Sequence, residues 1–101
     1  MQDVLKALAE PRRQEILRLV SDRELPSGEI AAHFAVSRPA ISQHLRVLKD
    51  AGLVQEEKAG TRRIYSADAK ALGELRAAID EMWRTALGEF AATVNRKEKR
   101  S

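Results

Sequence analysis

Apolar residues recur along this chain in stripes whose period changes once past the midpoint. Val4, Leu5 and Leu8 form a short stripe that stops before Pro11, a residue suited to a helix's first turn because its missing N–H is not needed there. Ile16, Leu17 and Val20 then share one face, which predicts a second helix over residues 11–22. Leu25-Pro26-Ser27-Gly28 breaks the pattern, and Ser27 is placed to N-cap a third helix that buries Ile30, Ala31 and Phe34. Ala35-Val36 makes a tight connection. Ser37 is the next N-cap, Pro39 falls in the first turn, and Ile41, Leu45 and Leu48 repeat at i, i+4 and i+7. Gly52 stands where a left-handed residue would end this fourth helix, predicted from Arg38 to Ala51.

Beyond Gly52 the period shortens. Leu53–Glu57 and Arg62–Ser66, with the β-prone Val54, Ile64 and Tyr65, read as a hairpin around Lys58-Ala59-Gly60-Thr61. Asp68 is placed to cap a last, long helix reaching Val94, striped by Leu72, Leu75, Ile79, Met82, Trp83, Ala86, Phe90 and Val94. The order predicts a mainly α fold with a small β-hairpin. Two helices around Ala35-Val36 followed at once by a hairpin form a winged helix-turn-helix. We expect one domain over residues 1–95 and a basic, disordered tail over 96–101.

Composition narrows the function classes. A chain of 101 residues, 44% hydrophobic and 33% charged, fits one small globular core. The absence of cysteine excludes disulfides, thiolate metal sites, cysteine nucleophiles and thiol redox sensing. No apolar run approaches the length of a membrane span and no signal-peptide core is visible, so a cytoplasmic protein without a membrane partner is expected. The net charge of +3 is unevenly spread. Residues 37–63 carry +3 and residues 96–101 another +3, while 1–36 and 64–95 are mildly acidic at −1 and −2. That segregation is what a polyanion-binding face on a separate scaffold requires.

The fourth helix carries candidate chemistry. With about 100° per residue, Pro39, Ser42, Gln43 and Arg46 point away from the Ile41–Leu45–Leu48 stripe. Gln pairs bidentately with adenine and Arg with guanine, and Ser bonds either base edges or phosphates. With Ser37 and Arg38 at its start, this face is read as a double-stranded DNA contact placed in a major groove. His44 lies on the flank of the buried stripe, either donating to a phosphate or packing against a neighbouring helix. His33 has no ligand spacing around it and reads as a plain histidine. Lys58, Thr61, Arg62 and Arg63 surround the hairpin tip and are read as phosphate contacts; Glu56 and Glu57 favour the alternative of a charge-protected edge strand. The last helix either folds back on its own domain or pairs with a second copy; Val4 and Leu8 near one end, and Leu75, Ile79, Met82, Trp83 and Phe90 near the other, are read as a homodimer interface. Two-fold pairing would set two recognition helices about 34 Å apart, one DNA turn.

The run Ser37-Arg38-Pro39-Ala40-Ile41-Ser42-Gln43-His44-Leu45-Arg46-Val47-Leu48-Lys49-Asp50-Ala51-Gly52-Leu53-Val54 resembles the ArsR/SmtB family of bacterial winged-helix repressors. Ala7–Arg13 with Ile16-Leu17 is similar to that family's first helix pair, and Ala59–Tyr65 to its wing. The resemblance covers the chain to about residue 94 and implies a homodimer that represses transcription from an inverted-repeat operator, often its own. Metal-sensing members place a cysteine pair in the third helix, where this chain has Pro26, Ser27 and Gly28. They also need histidine in the last helix, which has none here. The chain is therefore more similar to the metal-free autorepressors, with neither cofactor nor metal, and the inducer is left unassigned. An enzyme is not expected: HExxH, P-loop, GxSxG and Cys/His pairs are all missing, so no catalytic residue is nominated. A protein-interaction module and a repressor sensing a small molecule are the alternatives.

Overall fold

The computed structural model describes residues 2–100, with side chains to residue 88. Five helices and three strands follow in the order α1 (Gln2–Leu8), α2 (Pro11–Leu19), β1 (Leu25–Pro26), α3 (Ser27–Ala32), α4 (Arg38–Asp50), β2 (Val54–Ala59), β3 (Arg62–Ala67) and α5 (Ala69–Arg100). The predicted winged helix-turn-helix is present: α3 and α4 form the helix pair, and β2–β3 the wing.

Local chemistry sets most boundaries. Pro11 occupies the first turn of α2, and the Glu10 carboxylate N-caps it by accepting from Arg12 N at 3.2 Å. Arg13 and Gln14 of α2 reach back to α1, donating to the carbonyls of Lys6, Ala7 and Leu8. Those carbonyls have no partner within a helix that ends at Leu8, so two side chains satisfy the C-terminus of α1 and lock it to α2. Ser37 N-caps α4 as predicted, its hydroxyl accepting from Ala40 N at 3.3 Å. At the other end Gly52 has φ +80°, Gly52 N donates to Lys49 O, and Leu53 N donates to Leu48 O. This is the Schellman arrangement, and the buried pair Leu48 and Leu53 supplies its apolar contact. Asp68 caps α5 through Ala71 N at 3.0 Å and also accepts from Gln55 at 3.2 Å; these two bonds hold its carboxyl below the ordinary range.

Several predicted boundaries differ. The second helix stops at Leu19 instead of residue 22, because Val20 O is taken by Ala67 N of β3 and Ser21 Oγ bonds Arg18 O. Ser27 is the first residue of α3 and Pro26 its N-cap, with no side-chain capping bond. The Leu25–Pro26 break is itself a strand, pairing Leu25 with Tyr65 and Pro26 with Ile64, so the hairpin becomes a three-stranded antiparallel sheet in the order β1-β3-β2. Pro26 is tolerable there because β1 is an edge strand. In the wing, Ala59 pairs with Arg62 across Gly60-Thr61, and positive φ at Gly60 but not Thr61 matches a type II′ turn.

The core joins Ile16 of α2 and Val20 at its C-cap, Ile30 of α3, Ile41, Leu45 and Leu48 of α4, and Leu53, Val54 and Tyr65 around the sheet. Leu75 of α5 closes it, with Leu72 and Ile79 half-buried beside it. Past Ile79, α5 presents Met82, Trp83 and Leu87 to solvent, each at least 56% exposed. The helix continues to Arg100, beyond the Val94 limit expected, so residue 95 does not mark an end of it. Among the described residues no helix is long and apolar enough to cross a membrane.

Candidate nucleic-acid interface

Because Ile41, Leu45 and Leu48 are pinned in the core, the opposite side of α4 is fixed outward. Pro39, Ser42, Gln43 and Arg46 are exposed on it, in the positions the helical spacing predicted, and Arg38 is exposed at the start of the helix. This face is one wall of a groove of about 1000 Å³ whose other wall is the wing, through Glu56, Arg63 and Tyr65. A smaller groove of about 470 Å³ adjoins it, with Arg38, Thr61, Arg62 and Arg63 around Ser27 and Gly28. The Arg38 guanidinium lies over Gly28, where a Cβ would stand 2.9 Å from Nη2 unless this flexible side chain moved aside. Basic groups from α4 and β3 thereby converge on adjoining concavities, the arrangement a polyanion backbone fits.

The wing residues are placed unequally. Lys58 and Thr61 are exposed at the tip. Arg62 reaches Glu29 of α3 at 3.6 Å, a pair more than half exposed on both sides and hence of little energetic weight. Arg63 turns to Glu56 at 3.7 Å, and Lys49 of α4 approaches the same carboxylate at 3.6 Å. The Tyr65 hydroxyl donates to Glu56 at 2.6 Å. That bond, together with Lys49 and Arg63, outweighs burial and holds the Glu56 carboxyl below its ordinary value. Burial and then the Glu56 contact push the Tyr65 phenol up to about 12. Glu56 is therefore a structural junction between helix and wing, whereas Glu57, on the other face of the strand, is exposed.

Lys49, Glu56 and Tyr65 were not among the predicted site residues. Lys49 follows Ser42 by seven positions and so shares its side of the helix, a signal present in the spacing. Counting inward from the Gly60-Thr61 turn also pairs Glu56 with Tyr65, once that turn is known to be a two-residue one.

His44 takes the second of its two open readings. Its Nδ1 lies 3.3 Å from Arg13 Nη1 and its Nε2 3.4 Å from Glu10 Oε2, so the ring faces α2 and not the groove. An arginine has no acceptor, which makes Nδ1 the acceptor and Nε2–H the donor toward an otherwise unpartnered buried oxygen. His33 is exposed, and among the described residues no cluster of His, Cys, Asp and Glu is placed to hold a metal.

Of the residues expected at a subunit interface, Met82 and Trp83 are exposed, while Val4, Leu8 and Ile79 are half-buried against their own core. Leu75 is 8% exposed and packs into the core of its own domain. The Phe90 side chain lies outside the described residues. Leu5 and Leu87 are exposed apolar residues that the prediction missed.

Comparison with known proteins agrees with this architecture. The profile of the bacterial regulatory protein, arsR family, matches residues 10–56. The chain is 43% identical over 90 residues to the HTH-type transcriptional regulator Rv2034 of Mycobacterium tuberculosis, covering 89% of this chain and 84% of that one. It is 38% identical over 72 residues to the transcriptional repressor SdpR of Bacillus subtilis, covering 71% and 80%. A homodimeric winged helix-turn-helix DNA-binding domain from Mycobacterium bovis superposes with a TM-score of 0.68 at 32% identity, covering 80% of this chain and 75% of that one. On its sequence, its α3–α4 pair and its β2–β3 wing within a three-stranded sheet, the chain belongs to the ArsR family of winged helix-turn-helix transcriptional regulators.

Proposed function

We propose that the protein is a sequence-specific transcriptional repressor that binds an inverted-repeat operator as a homodimer, regulates its own gene and uses no metal. The observation that carries this reading is the shared groove, in which base-reading Gln43 and Arg46 face the phosphate-binding side of the wing. Pro39 and Ser42 keep the recognition face slim enough for a major groove about 12 Å wide. Ser37 and Arg38 at the start of α4, and Lys58, Thr61, Arg62 and Arg63 of the wing, supply the phosphate contacts that fix register without reading sequence.

Exposed Leu5, Met82, Trp83 and Leu87 support dimerisation through α1 and α5, since a monomer gains nothing from a tryptophan 62% in solvent. The homodimeric relative supports the same pairing. Metal independence rests on the absence of cysteine and on Pro26-Ser27-Gly28 at the third-helix position. We place the protein in the cytoplasm with its DNA.

Fluorescence anisotropy on a duplex from upstream of its own gene, beside a scrambled duplex, tests the reading. Tight, selective binding that weakens steeply with salt and ignores zinc is expected. Release by zinc refutes metal independence, and equal weak binding to both duplexes refutes autoregulation. A promoter fusion that rises when the protein is deleted separates repression from activation.

A further inference from the structure

We infer that Glu56 is an internal substitute for a DNA phosphate: its carboxylate holds Lys49 and Arg63 in the free protein, and DNA takes both cations from it. The inference deepens the DNA-binding reading and rests on it. Glu56 sits in the groove between α4 and the wing, its side chain only 11% exposed, and it gathers groups from α4 and β3. One carboxylate oxygen faces Lys49 Nζ at 3.6 Å, and the other faces Arg63 Nη1 at 3.7 Å while accepting from Tyr65 at 2.6 Å.

The geometry separates a fixed anion from movable cations. Tyr65 is buried in the core and ties down the carboxylate through a short bond. The Lys49 and Arg63 side chains are 49% and 59% exposed, and their separations from Glu56 exceed the 2.7–2.9 Å of a charge-assisted hydrogen bond. Two long, half-solvated side chains at that distance swing away at small cost. A phosphodiester offers the same donors the same kind of oxygen acceptor and approaches from the open side of the groove. When it captures them, Glu56 is left without a cation and recruits one from solution. That uptake offsets part of the counterion release that otherwise drives binding. Glu56 thus lowers affinity for every duplex alike, leaving useful binding only where base contacts add to it.

Glu56→Gln tests this, because the amide keeps the shape and an acceptor for Tyr65 while removing the charge. Anisotropy on the upstream duplex and the scrambled duplex, each over a salt series, is the readout. Both affinities are expected to rise by about tenfold at low salt, the combined worth of two half-exposed ion pairs. The slope of log affinity against log salt is expected to steepen by about one. Glu57→Gln makes the same change in net charge one residue along, at a carboxylate that forms no ion pair among the described residues, and is expected to change affinity by less than half as much on a logarithmic scale. Weaker binding of Glu56→Gln to both duplexes, with its melting temperature unchanged, overturns the inference in favour of a carboxylate that supports the wing. An effect equal to that of Glu57→Gln overturns it in favour of net charge alone. Wild-type protein that binds neither duplex overturns the DNA-binding reading itself, and the inference with it.

Discussion

Replacing Tyr65 by Phe removes one oxygen from the junction of core, helix and wing, and the consequence is calculable at both neutral and alkaline pH. Tyr65 is 6% exposed, and its hydroxyl donates to a carboxylate at 2.6 Å. A hydrogen bond to a charged acceptor contributes about 1.5–3 kcal/mol, so Tyr65→Phe should lose an amount near the lower end at pH 7, where Lys49 and Arg63 still accompany Glu56. The alkaline side discriminates better. Burial first, and the Glu56 bond and charge second, raise the phenol from 10.0 to about 12. A group whose folded value lies above its unfolded one contributes stability that is fully present below the unfolded value and lost as pH rises through the folded one. The window is therefore pH 10 to 12, and the loss across it is about 3 kcal/mol. Urea unfolding of wild type and Tyr65→Phe at one protein concentration, stepped from pH 7 to 12, isolates the tyrosine because all other groups titrate in both proteins. The stability difference should be constant to pH 9, then fall through zero, so that the Phe variant is the more stable by about 1 kcal/mol near pH 12. A difference that stays constant to pH 12 refutes the reasoning, since it would mean that the phenol ionises as easily folded as unfolded.

Three further outcomes are expected. Gln43→Ala should change the ranking among operator variants, while Arg62→Ala weakens binding to all duplexes alike; anisotropy on a panel of single-base variants distinguishes them. Trp83→Asp should yield monomers in sedimentation, because it puts a charge into the exposed apolar strip of α5; a variant that stays dimeric moves the interface elsewhere. Leu45→Ala should cost about 2–5 kcal/mol in urea unfolding, since Leu45 is fully buried and its neighbours on α2 and α3 cannot close the void.

What the sequence displayed was whatever depends on residues near one another in the chain. The stripe Ile41–Leu45–Leu48, the Ser37 cap and the Gly52 stop all lie within one helix, and all three are present as expected. The outward set Ser42, Gln43 and Arg46 follows from the same stripe. What escaped notice depends on contacts between distant segments. β1 is two residues long, too short to show alternation, and exists only because Tyr65 and Ile64 pair with it. α2 ends early because a β3 amide 47 positions away takes the Val20 carbonyl. Leu75 and Met82 lie on one stripe of α5, yet only the first meets the core, since the helix runs past the small domain after about three turns, beyond Ile79. Glu56 was visible only as an acid that ought to repel phosphate, because nothing local reveals that Tyr65 and two cations surround it.

These contacts hold the 13-residue α4 in its socket from several sides. Its apolar stripe anchors it along the core. His44, on one flank, is held by Glu10 and Arg13, and Arg13 in turn grips the carbonyls at the end of α1. At its far end the Schellman bonds at Gly52 and Leu53 tie the helix to the start of β2, a link that remains when Lys49 leaves Glu56. Only the side bearing Pro39, Ser42, Gln43 and Arg46 is left unengaged. The recognition face is therefore referenced to α1 through one chain of contacts and to the wing through another. If two copies pair through α1 and α5, the separation of their recognition helices is set by rigid links on both sides of α4. Half-sites one DNA turn apart need such helices about 34 Å apart, a spacing the packing within each subunit then helps to hold.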